Sequence, residues 1–449
     1  MTIRIGSGSA WWGDRISPAK ESADKGQLDY LCFETMAEAT ISAAQVRKRR
    51  DPTFPGYDTW LDDRMTAVLP GCIKNKTKII SNQGWINPNG AAERIVYWLR
   101  TMGVHGVKVA AINGSLITGD VLNLTNTILE TGERTQSLEN KIVSAEVYQG
   151  SEPIVQALKN GAQIVVTGRI ADPSIFAAPM MFEYGWGMDD FMRLGVANGI
   201  GHLMECGAQV TGGYFADPGF KDVPRPWDLG FPIAEVHNDG TAVITKLEGT
   251  GGVINAMTIK EQLLYEVHDP YNYITPDVVV DFSTTQIREI AENRVMVSGI
   301  SGKPRTATLK VSIGCEEGFI GEDMFFYAGE GALQRAKLAE NILRERFKIV
   351  ELKAEELRID YLGLNAIHGD MTPEVDHEPY EVAVRVAART TTREEAMKIG
   401  REVDGMAVSG VGMTGKRVPH QDRTREIIGV WSSLIDRSEI SPSIKMFES

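Results

Sequence analysis

Short apolar segments alternate with segments of helical periodicity through residues 1–170, and this alternation limits the fold more than any other feature of the sequence. Neighbouring parallel strands need a crossover connection, which is usually a helix, so the alternation predicts βαβ units. We therefore predict an α/β fold whose first half is a mainly parallel sheet with helices on both faces. The predicted strands are Ile3–Ile5, Leu28–Phe33, Thr77–Ser81, Gly106–Ile112, Val143–Val147 and Ala162–Thr167, and the predicted helices are Ala37–Arg50, Pro88–Met102 and Pro153–Asn160.

The patterning changes near residue 225, where three prolines cluster within residues 224–232. Prolines interrupt regular structure, so the cluster marks a domain border. We predict an α/β domain at residues 1–225, which carries the site, and an α+β domain at residues 226–449 that ends in a C-terminal arm, Asp436–Ser449. The elements predicted in the second domain are the strands Val236–Leu247, Asp277–Phe282, Thr306–Ile313 and Glu381–Ala388 and the helices Leu333–Phe347 and Thr392–Val403.

The composition of the 449-residue chain is that of a folded protein with an acidic surface: 43% of residues are hydrophobic, 24% are charged, and the formal net charge is −13. An acidic surface repels phosphate backbones, so we expect no nucleic-acid partner. No apolar run has the length of a membrane span, so we expect no membrane partner either. The four cysteines include no CxxC pair, which suits a reducing compartment, and the first residues lack a signal-peptide pattern. We expect a cytoplasmic protein, and we expect a homo-oligomer.

The loop after the first strand, Gly6–Arg15, is the first candidate for a ligand-binding segment. Ligands of open parallel sheets bind beyond the carboxyl ends of the strands, and glycines allow the backbone to approach a ligand closely. Asp14 and Arg15 are therefore substrate-binding candidates, with a surface ion pair as the alternative. The glycines do not match GxGxxG, so we expect no NAD cofactor and no redox chemistry.

Polar residues follow the second and third strands at the same predicted edge. Glu34 ends the second strand and is a candidate catalytic acid or base, although a charge that complements a helix N-terminus is an equal alternative. Ser81–Pro88 joins the third strand to a helix, with Asn87 as the N-cap. Capping accounts for Asn87 but leaves Asn82 and Gln83 unexplained. We predict that this helix N-terminus, with all three side chains, binds an anionic oxygen of the substrate.

Thr167–Pro173 follows the last predicted strand of the first half and contains one basic and one acidic residue. Arg169 can bind a carboxylate or a phosphoryl group through two parallel hydrogen bonds, so it is a substrate-binding candidate. Asp172 can orient that arginine or transfer a proton, so it is a catalytic candidate. The alternative is a structural ion pair at the start of the following helix.

His202, Glu205 and Cys206 share one face of a predicted helix, because they are spaced three and four residues apart. Imidazole, carboxylate and thiolate are all zinc ligands, so the three residues are candidate ligands of a divalent metal ion. Two other interpretations stay open, namely His202 as a catalytic acid or base and His202 as a hydrogen-bonded core residue. Gln209, just beyond this helix, is a further substrate-binding candidate.

Two motifs in the second half suggest chemistry but carry less weight. His268 precedes Asp269, which could fix the tautomer of the imidazole, so His268 is a substrate-binding candidate; an ordinary helix end followed by a turn is the alternative. Gly410–Arg417 matches GxxxxGK, but Arg417 replaces the Ser or Thr that would hold magnesium. We therefore expect no ATP site and interpret this segment as a surface loop, with a glycine loop near an anionic group such as a CoA phosphate as the alternative.

Several of these segments together resemble the acyclic terpene utilisation (AtuA-like) family, which is a conserved domain of unknown function. They cover most of residues 4–310 and are Gly6–Arg15, Asp29–Asp51, Ser81–Ala92, Gly168–Pro173, His202–Gly213 and Tyr265–Pro276. In longer relatives this core is followed by a small ferredoxin-like domain. The resemblance does not extend to such a domain in this chain, so it implies a separate small AtuA-like subunit as a partner.

The resemblance implies catabolism of a small carboxylic acid or its acyl-CoA thioester, because the family's name refers to the breakdown of isoprenoid acids. It assigns no catalytic residue. Together with the residues above, it favours a lyase or hydratase in which Glu34, Asp172 or His202 transfers a proton. The alternative is a non-catalytic subunit that binds a ligand or the small partner within an enzyme complex.

Overall fold

The structure is a computed structural model that describes residues 2–119, 126–373, 378–417 and 423–449. Its α-helices are α1 (Ser17–Lys25), α2 (Glu38–Arg50), α3 (Leu61–Asn75), α4 (Pro88–Thr101), α5 (Glu152–Lys159), α6 (Asp172–Tyr184), α7 (Phe191–Glu205), α8 (Ala256–Leu264), α9 (Ala332–Ile349) and α10 (Arg393–Ser409). Its strands are β1 (Thr2–Ser9), β2 (Tyr30–Phe33), β3 (Lys78–Ser81), β4 (Lys108–Asn113), β5 (Ile142–Val147), β6 (Ile164–Thr167), β7 (Pro232–His237), β8 (Ala242–Lys246), β9 (Tyr273–Ile274), β10 (Val279–Asp281), β11 (Gln286–Ala291), β12 (Arg294–Ser298), β13 (Ser301–Lys303), β14 (Thr308–Ala328), β15 (Glu356–Leu362), β16 (Glu381–Thr390), β17 (Gly415–Lys416), β18 (Thr424–Asp436) and β19 (Ser443–Glu448).

The chain divides into two compact units, residues 1–314 with 430–449 and residues 315–429. The border predicted after residue 225 lies inside the first unit, because β7 pairs antiparallel with β1 and joins the same sheet. The single strand predicted at Val236–Leu247 is instead two antiparallel strands, β7 and β8, with Gly240 at φ 90° in the turn between them. The predicted C-terminal arm contains β19, which pairs with β4 at the edge of the sheet.

The first unit is built on a ten-stranded sheet with the order β11-β12-β8-β7-β1-β2-β3-β6-β4-β19. From β1 to β4 the neighbours in this order are parallel, and on either side of them the strands pair antiparallel. The predicted α/β class is therefore confirmed, with a mixed sheet. The loops after the five parallel strands leave the same edge of the sheet, which is where ligands bind in such folds.

Side chains of the parallel strands alternate between two hydrophobic clusters. Tyr30 and Cys32 of β2 belong to one cluster, which contains residues of α5, α6 and α7, and Leu31 and Phe33 belong to the other, which contains residues of α1, α3 and α4. Successive side chains of a strand point to opposite faces, so both faces of β2 are buried. All four residues of β2 can therefore be apolar, and only the loops beyond the strand ends are free to carry polar groups.

The second unit, residues 315–429, has a sheet with the order β15-β16-β14-β17, in which every neighbouring pair is antiparallel. Its elements follow one another along the chain as β14-α9-β15-β16-α10-β17, which is the βαββαβ arrangement of ferredoxin-like folds. The sequence analysis assigned a ferredoxin-like domain to a separate subunit. The structure instead has this arrangement within the chain, at residues 315–429. None of the helices in the described residues has the length and apolar character to cross a membrane.

Candidate active site

A pocket of about 270 Å³ lies in the first unit, where residues that follow β5 and β6 meet the end of α7 and the start of β14. Pockets that bind small molecules combine apolar walls with a few polar groups that converge on the ligand. The polar lining of this pocket includes four carboxyl groups, one lysine and two tyrosines, namely Glu38, Asp172, Glu205, Glu266, Lys310, Tyr148 and Tyr273. We call it the carboxyl pocket and take it as the candidate active site.

Arg169 lies behind the wall of the carboxyl pocket and holds that wall in place. Its guanidinium group stacks on the ring of Tyr148 at 4.1 Å and donates hydrogen bonds to the carbonyl of Met36 (2.8 Å) and to Asp172 Oδ1 (2.7 Å). The Arg169 side chain is only 2% exposed. The structure therefore brings Arg169 and Asp172 together, as the sequence suggested, with the arginine on the protein side and the aspartate on the pocket side.

Asp172 presents its carboxyl group to the pocket. It is the first residue of α6, where the helix dipole favours a negative charge, and its side chain is 33% exposed. Burial, together with the charges of Glu38 and Glu266, raises the pKa of Asp172 to about 6 against the opposing effect of Arg169. A carboxyl group with this pKa populates both protonation states near neutral pH, so it can accept or donate a proton.

Glu34 lies deeper than Asp172, at the end of β2, and it is 5% exposed. Its Oε1 accepts a hydrogen bond from Asn82 Nδ2 (3.0 Å), and Asn82 Oδ1 accepts from both the backbone N–H (2.7 Å) and the hydroxyl (3.0 Å) of Thr35. Burial raises the pKa of Glu34 well above its ordinary value, and the charge of Asp172 adds to the effect. The raised pKa favours the protonated form of Glu34, and the side chain of Asn82 helps to fix the loop that carries it.

Glu205 and His202 form a buried pair in the last turn of α7, with Nδ1 of the imidazole 2.9 Å from Glu205 Oε1. Burial raises the pKa of Glu205 well above its ordinary value and lowers the pKa of His202 to about 4. These shifts favour the uncharged form of both groups, and the Nδ1–H tautomer of the imidazole can donate to Glu205 Oε1. The imidazole packs against the rings of Tyr273 and Phe282, at 5.0 and 5.8 Å between centroids.

The predicted metal ligands His202, Glu205 and Cys206 do not converge on one point. In the described part of the chain, no group of three or more His, Cys, Asp or Glu side chains is arranged to hold a metal ion. Cys206 is the residue that ends α7, and burial raises the pKa of its thiol. A metal ligand must be a thiolate, so this environment disfavours Cys206 as a ligand.

Gln83 belongs to a separate buried group, which we call the Arg64 cluster and which consists of Arg64, Asp58, Gln83 and Ser81. Arg64 Nη1 donates to Asp58 Oδ2 (2.7 Å), and Gln83 Nε2 donates to the same oxygen (2.8 Å). Arg64 Nη2 donates to the carbonyl of Trp12 (2.6 Å). The side chains of the Arg64–Asp58 ion pair are both 0% exposed. The cluster therefore ties the loop after β1 to the loop after β3 and offers no surface to a ligand.

Three predicted substrate-binding residues lie outside the lining of the carboxyl pocket. Asp14 Oδ2 accepts from the backbone N–H of Ala10 (2.9 Å), so it closes the loop after β1 on itself, and burial raises its pKa. Arg15 is exposed and donates to a backbone carbonyl at 3.2 Å. Asn87 is the N-cap of α4, as its position before Pro88 predicts, and its Oδ1 accepts from Gly90 N at 3.0 Å.

Gln209 and His268 are also placed elsewhere. Gln209 lines a second surface pocket of about 410 Å³, together with Tyr265. His268 is exposed, and the carboxylate of Asp269 accepts from the backbone N–H of Tyr271 (2.9 Å) instead of orienting the imidazole. Neither residue contributes to the carboxyl pocket.

Five of the seven polar pocket residues named above were not singled out from the sequence, namely Glu38, Tyr148, Glu266, Tyr273 and Lys310. Tyr148 immediately follows β5, so the strand-end argument that selected Asp172 would also have found it; its hydroxyl donates to Glu38 Oε1 (2.8 Å). Glu266 has a left-handed backbone (φ 59°), which is costly for a glutamate and is not visible in the sequence. Lys310 lies within β14, which pairs with β5, and its amine is 4.9 Å from the centre of the Tyr148 ring.

A scan against protein families matches residues 3–446 to the acyclic terpene utilisation family protein AtuA. A search of curated proteins finds none that matches the chain. The family match spans nearly the whole chain, including residues 315–429, so it covers the ferredoxin-like unit as well as the sheet that carries the pocket.

Proposed function

From the premise that this chain belongs to the acyclic terpene utilisation family AtuA, we propose that it is a catabolic enzyme that acts on a carboxylic acid or an acyl-CoA thioester as a lyase or hydratase. The observation that carries the proposal is the environment of Asp172. Its carboxyl group lines the carboxyl pocket, has a pKa of about 6, and is held from behind by the buried guanidinium of Arg169. A perturbed carboxyl group in a pocket is the arrangement that general acid–base catalysis requires.

In the hydratase direction, water adds across a carbon–carbon double bond next to the carbonyl of the substrate. The Asp172 carboxylate takes a proton from the water molecule while the oxygen of that water bonds to Cβ. The Glu205 carboxylic acid donates its proton to Cα. The π bond is replaced by one C–O and one C–H bond, Asp172 ends protonated, and Glu205 ends ionised. A proton returned from Asp172 to Glu205 restores both groups, and the reverse sequence eliminates water as a lyase does.

The remaining residues stabilise charge or hold the acid and the base. Addition to Cβ places negative charge on the carbonyl oxygen, and Lys310 is the cation of the pocket lining that can stabilise it. In this proposal Arg169 is a positioning residue, because it contacts Asp172 and not the pocket. His202 has the same role for Glu205, since it fixes that carboxylic acid through Nδ1.

The second candidate, a non-catalytic subunit that needs a small ferredoxin-like partner, has less support. Its premise is that the chain lacks a ferredoxin-like unit, and residues 315–429 have that arrangement. No feature of the carboxyl pocket, within the described residues, requires a further chain to complete it. A non-catalytic binding protein would also have no need of a carboxyl group with a pKa near the working pH.

The test is an isotope experiment that works on a panel of compounds, so the substrate need not be identified first. The purified chain is incubated in D₂O with α,β-unsaturated and β-hydroxy acids and with their CoA thioesters, and mass spectrometry detects gain or loss of water and uptake of deuterium at Cα. We expect at least one compound to react, and we expect Asp172→Asn to abolish the reaction. Asp189→Asn, which changes an exposed carboxylate, is the matched control and should retain it.

Reaction that continues undiminished in Asp172→Asn would disprove the assignment of the base. Absence of any water or deuterium exchange across both the acid and the thioester series, with folded protein, would disprove the lyase or hydratase class itself.

A further inference from the structure

A pocket of about 90 Å³ lies next to the carboxyl pocket and is distinct from the pocket that Gln209 lines. Its lining includes two arginines, Arg305 and Arg437. Leu309 lines both pockets, so the two spaces are neighbours. Pro276 of the carboxyl pocket is followed in the chain by Asp277 of the smaller one. The smaller pocket, which we call the arginine pocket, therefore lies beside the carboxyl pocket.

The two arginines are anchored but have donors to spare. Arg437 is held against the segment before β14, because its backbone N–H donates to Ala307 O (3.0 Å) and its Nη2 donates to Thr306 O (3.2 Å). Its Nε is buried and has no hydrogen-bond partner in the described part of the chain. Arg305 has an ion-pair contact with Glu152 at 3.8 Å, which is too long for a hydrogen bond.

The two guanidinium groups also oppose each other. Burial lowers the pKa of Arg437, and the positive charge of Arg305 lowers it further. Two like charges held together without full hydrogen bonding cost stability unless an anion joins them. The chain as a whole has a net charge of −13, so two neighbouring arginines create a local region of positive potential on an otherwise negative protein.

Two carboxylates lie near the arginines, and neither one neutralises them fully. Asp277 is saturated by other donors, since its oxygens accept from Ser151 N (2.8 Å), Ser151 Oγ (2.7 Å) and Ser174 Oγ (2.7 Å). Glu152 has a side chain that is 66% exposed, so water screens its contact with Arg305. The arginine pocket is therefore lined by two cations that the neighbouring carboxylates do not fully neutralise.

We infer that the arginine pocket binds a phosphate group of the substrate. The inference rests on the proposed function, and it specifies the substrate as the thioester of a phosphate-bearing, pantetheine-type carrier instead of a free acid. The planar donor fork of arginine matches a phosphate in two hydrogen bonds at once. A volume of about 90 Å³ is room for about three water molecules, which suits a phosphate group and is too small for an acyl chain.

The test compares two probes that differ by one phosphate, pantetheine and 4′-phosphopantetheine, and uses calorimetric titration of the full chain. We expect 4′-phosphopantetheine to bind at least tenfold more tightly than pantetheine. Arg305→Gln and Arg437→Gln should each remove most of this difference while leaving pantetheine binding unchanged. Arg288→Gln makes the same charge change at the exposed edge strand β11, so it is the matched control and should bind both probes as the wild type does.

Equal binding of the two probes by the wild type would overturn the inference, and so would a phosphate preference that survives in both variants. Arg437 also anchors the chain near Thr306, so Arg437→Gln could unfold; Arg305 makes no such anchoring contact, and its variant keeps the test decisive. Binding of inorganic phosphate without any phosphate preference between the two probes would show a free-anion site and would also overturn it. These titrations need no turnover, so a failed phosphate site and a failed catalytic proposal give different results: turnover of free acids alone would leave the base at Asp172 intact.

Discussion

Two buried arginine–aspartate pairs lie near the carboxyl ends of the parallel strands, and they differ in what surrounds the aspartate. In the Arg64–Asp58 pair neither side chain is exposed, whereas in the Arg169–Asp172 pair the arginine is 2% exposed and the aspartate 33%. Burial of an arginine is common to both. In the proposed function, the feature that distinguishes the Arg169–Asp172 pair is therefore a carboxylate that faces a pocket, because burial of the arginine is shared with the Arg64–Asp58 pair.

The partners of the two aspartates explain the contrast. Asp58 accepts hydrogen bonds from Arg64, from Gln83 and from the backbone N–H of Trp60, so its oxygens are fully used within the protein. Asp172 faces other carboxyl groups across the pocket, and these raise its pKa in addition to the effect of burial. The Arg64–Asp58 pair, which we call the closed pair, holds two loops together. In the proposed function, the Arg169–Asp172 pair, which we call the open pair, changes its protonation state.

The largest effect is expected from removing the base of the open pair. Asp172→Asn keeps the size of the side chain but cannot accept a proton, so kcat should fall by about 10²–10⁴-fold, the range that general acid–base catalysis supplies. Steady-state kinetics on a substrate identified by the isotope experiment measures this. The same substitution in the closed pair, Asp58→Asn, should leave kcat of the folded protein nearly unchanged, and a loss of kcat there as large as that of Asp172→Asn would erase the contrast.

The pH profile of the wild type tests the same group without mutation. Only the carboxylate form of Asp172 accepts a proton in the hydration step, and its pKa is about 6. Below this value kcat/KM for hydration should therefore fall by about tenfold per pH unit, and above pH 7 it should be level with respect to this group. A profile that is flat between pH 5 and pH 7 would contradict the assignment.

The next largest effect is expected on stability, from breaking the closed pair. Arg64→Met leaves Asp58 buried without its cation, and such a change costs about 3–5 kcal/mol in the free energy of unfolding. Chemical denaturation measures the loss. The double variant Arg64→Met, Asp58→Asn removes the stranded charge, so it should recover part of the stability; a double variant that is no more stable than the single one would show that packing, not charge, dominates there.

The contrast between the two pairs was only partly visible in the sequence. Asp172, Arg169 and Glu34 follow predicted strands, and the rule that polar residues after parallel strands share one edge is enough to bring them together from the sequence alone. The same rule also selected Gln83, which belongs to the Arg64 cluster and donates to Asp58 of the closed pair. Position after a strand predicts proximity to the edge, but it does not tell whether a side chain is turned inward or toward a pocket.

Some residues that line the carboxyl pocket come from distant parts of the chain. Lys310 belongs to β14 and Glu266 to the segment after α8. The periodicity of a sequence predicts strands and helices, but it does not predict which strands pair with each other. The same non-local pairing explains the misplaced border: β7 looks like the start of a new region because prolines precede it, yet it hydrogen-bonds to β1. Local patterns predicted the elements, and long-range pairing decided the units.

The next prediction concerns Glu205 of the carboxyl pocket and the way in which its raised pKa makes the stability of the protein depend on pH. Burial raises the pKa of Glu205 above the ordinary value of 4.5, so the folded state holds a proton that the unfolded chain releases as the pH rises. The difference in stability between the wild type and Glu205→Gln should therefore be constant below pH 4.5, and above it the wild type should lose about 1.4 kcal/mol per pH unit relative to the variant, until Glu205 ionises in the folded state. Thermal unfolding of both proteins from pH 4 to pH 7 measures this, and a difference that does not vary with pH would contradict the protonated state of Glu205.

The smallest effect is expected from a third arginine–aspartate pair, which extends the comparison to the surface. Arg94 and Asp62 are 33% and 40% exposed, and Asp62 accepts two hydrogen bonds from the guanidinium at 2.8 and 2.6 Å. The hydrogen bond from Arg94 lowers the pKa of Asp62, so the stability that it contributes is present above about pH 3.8 and is lost as the pH falls. Asp62→Asn should therefore cost only about 0–1 kcal/mol at neutral pH, and the cost should shrink with added salt and at acid pH, opposite in sign to Glu205→Gln. Denaturation could instead show that this exposed pair contributes as much to stability as the closed Arg64–Asp58 pair. Exposure of the aspartate would then not control the strength of these pairs. The distinction between a closed pair that stabilises the fold and an open pair that serves the pocket would lose its physical basis.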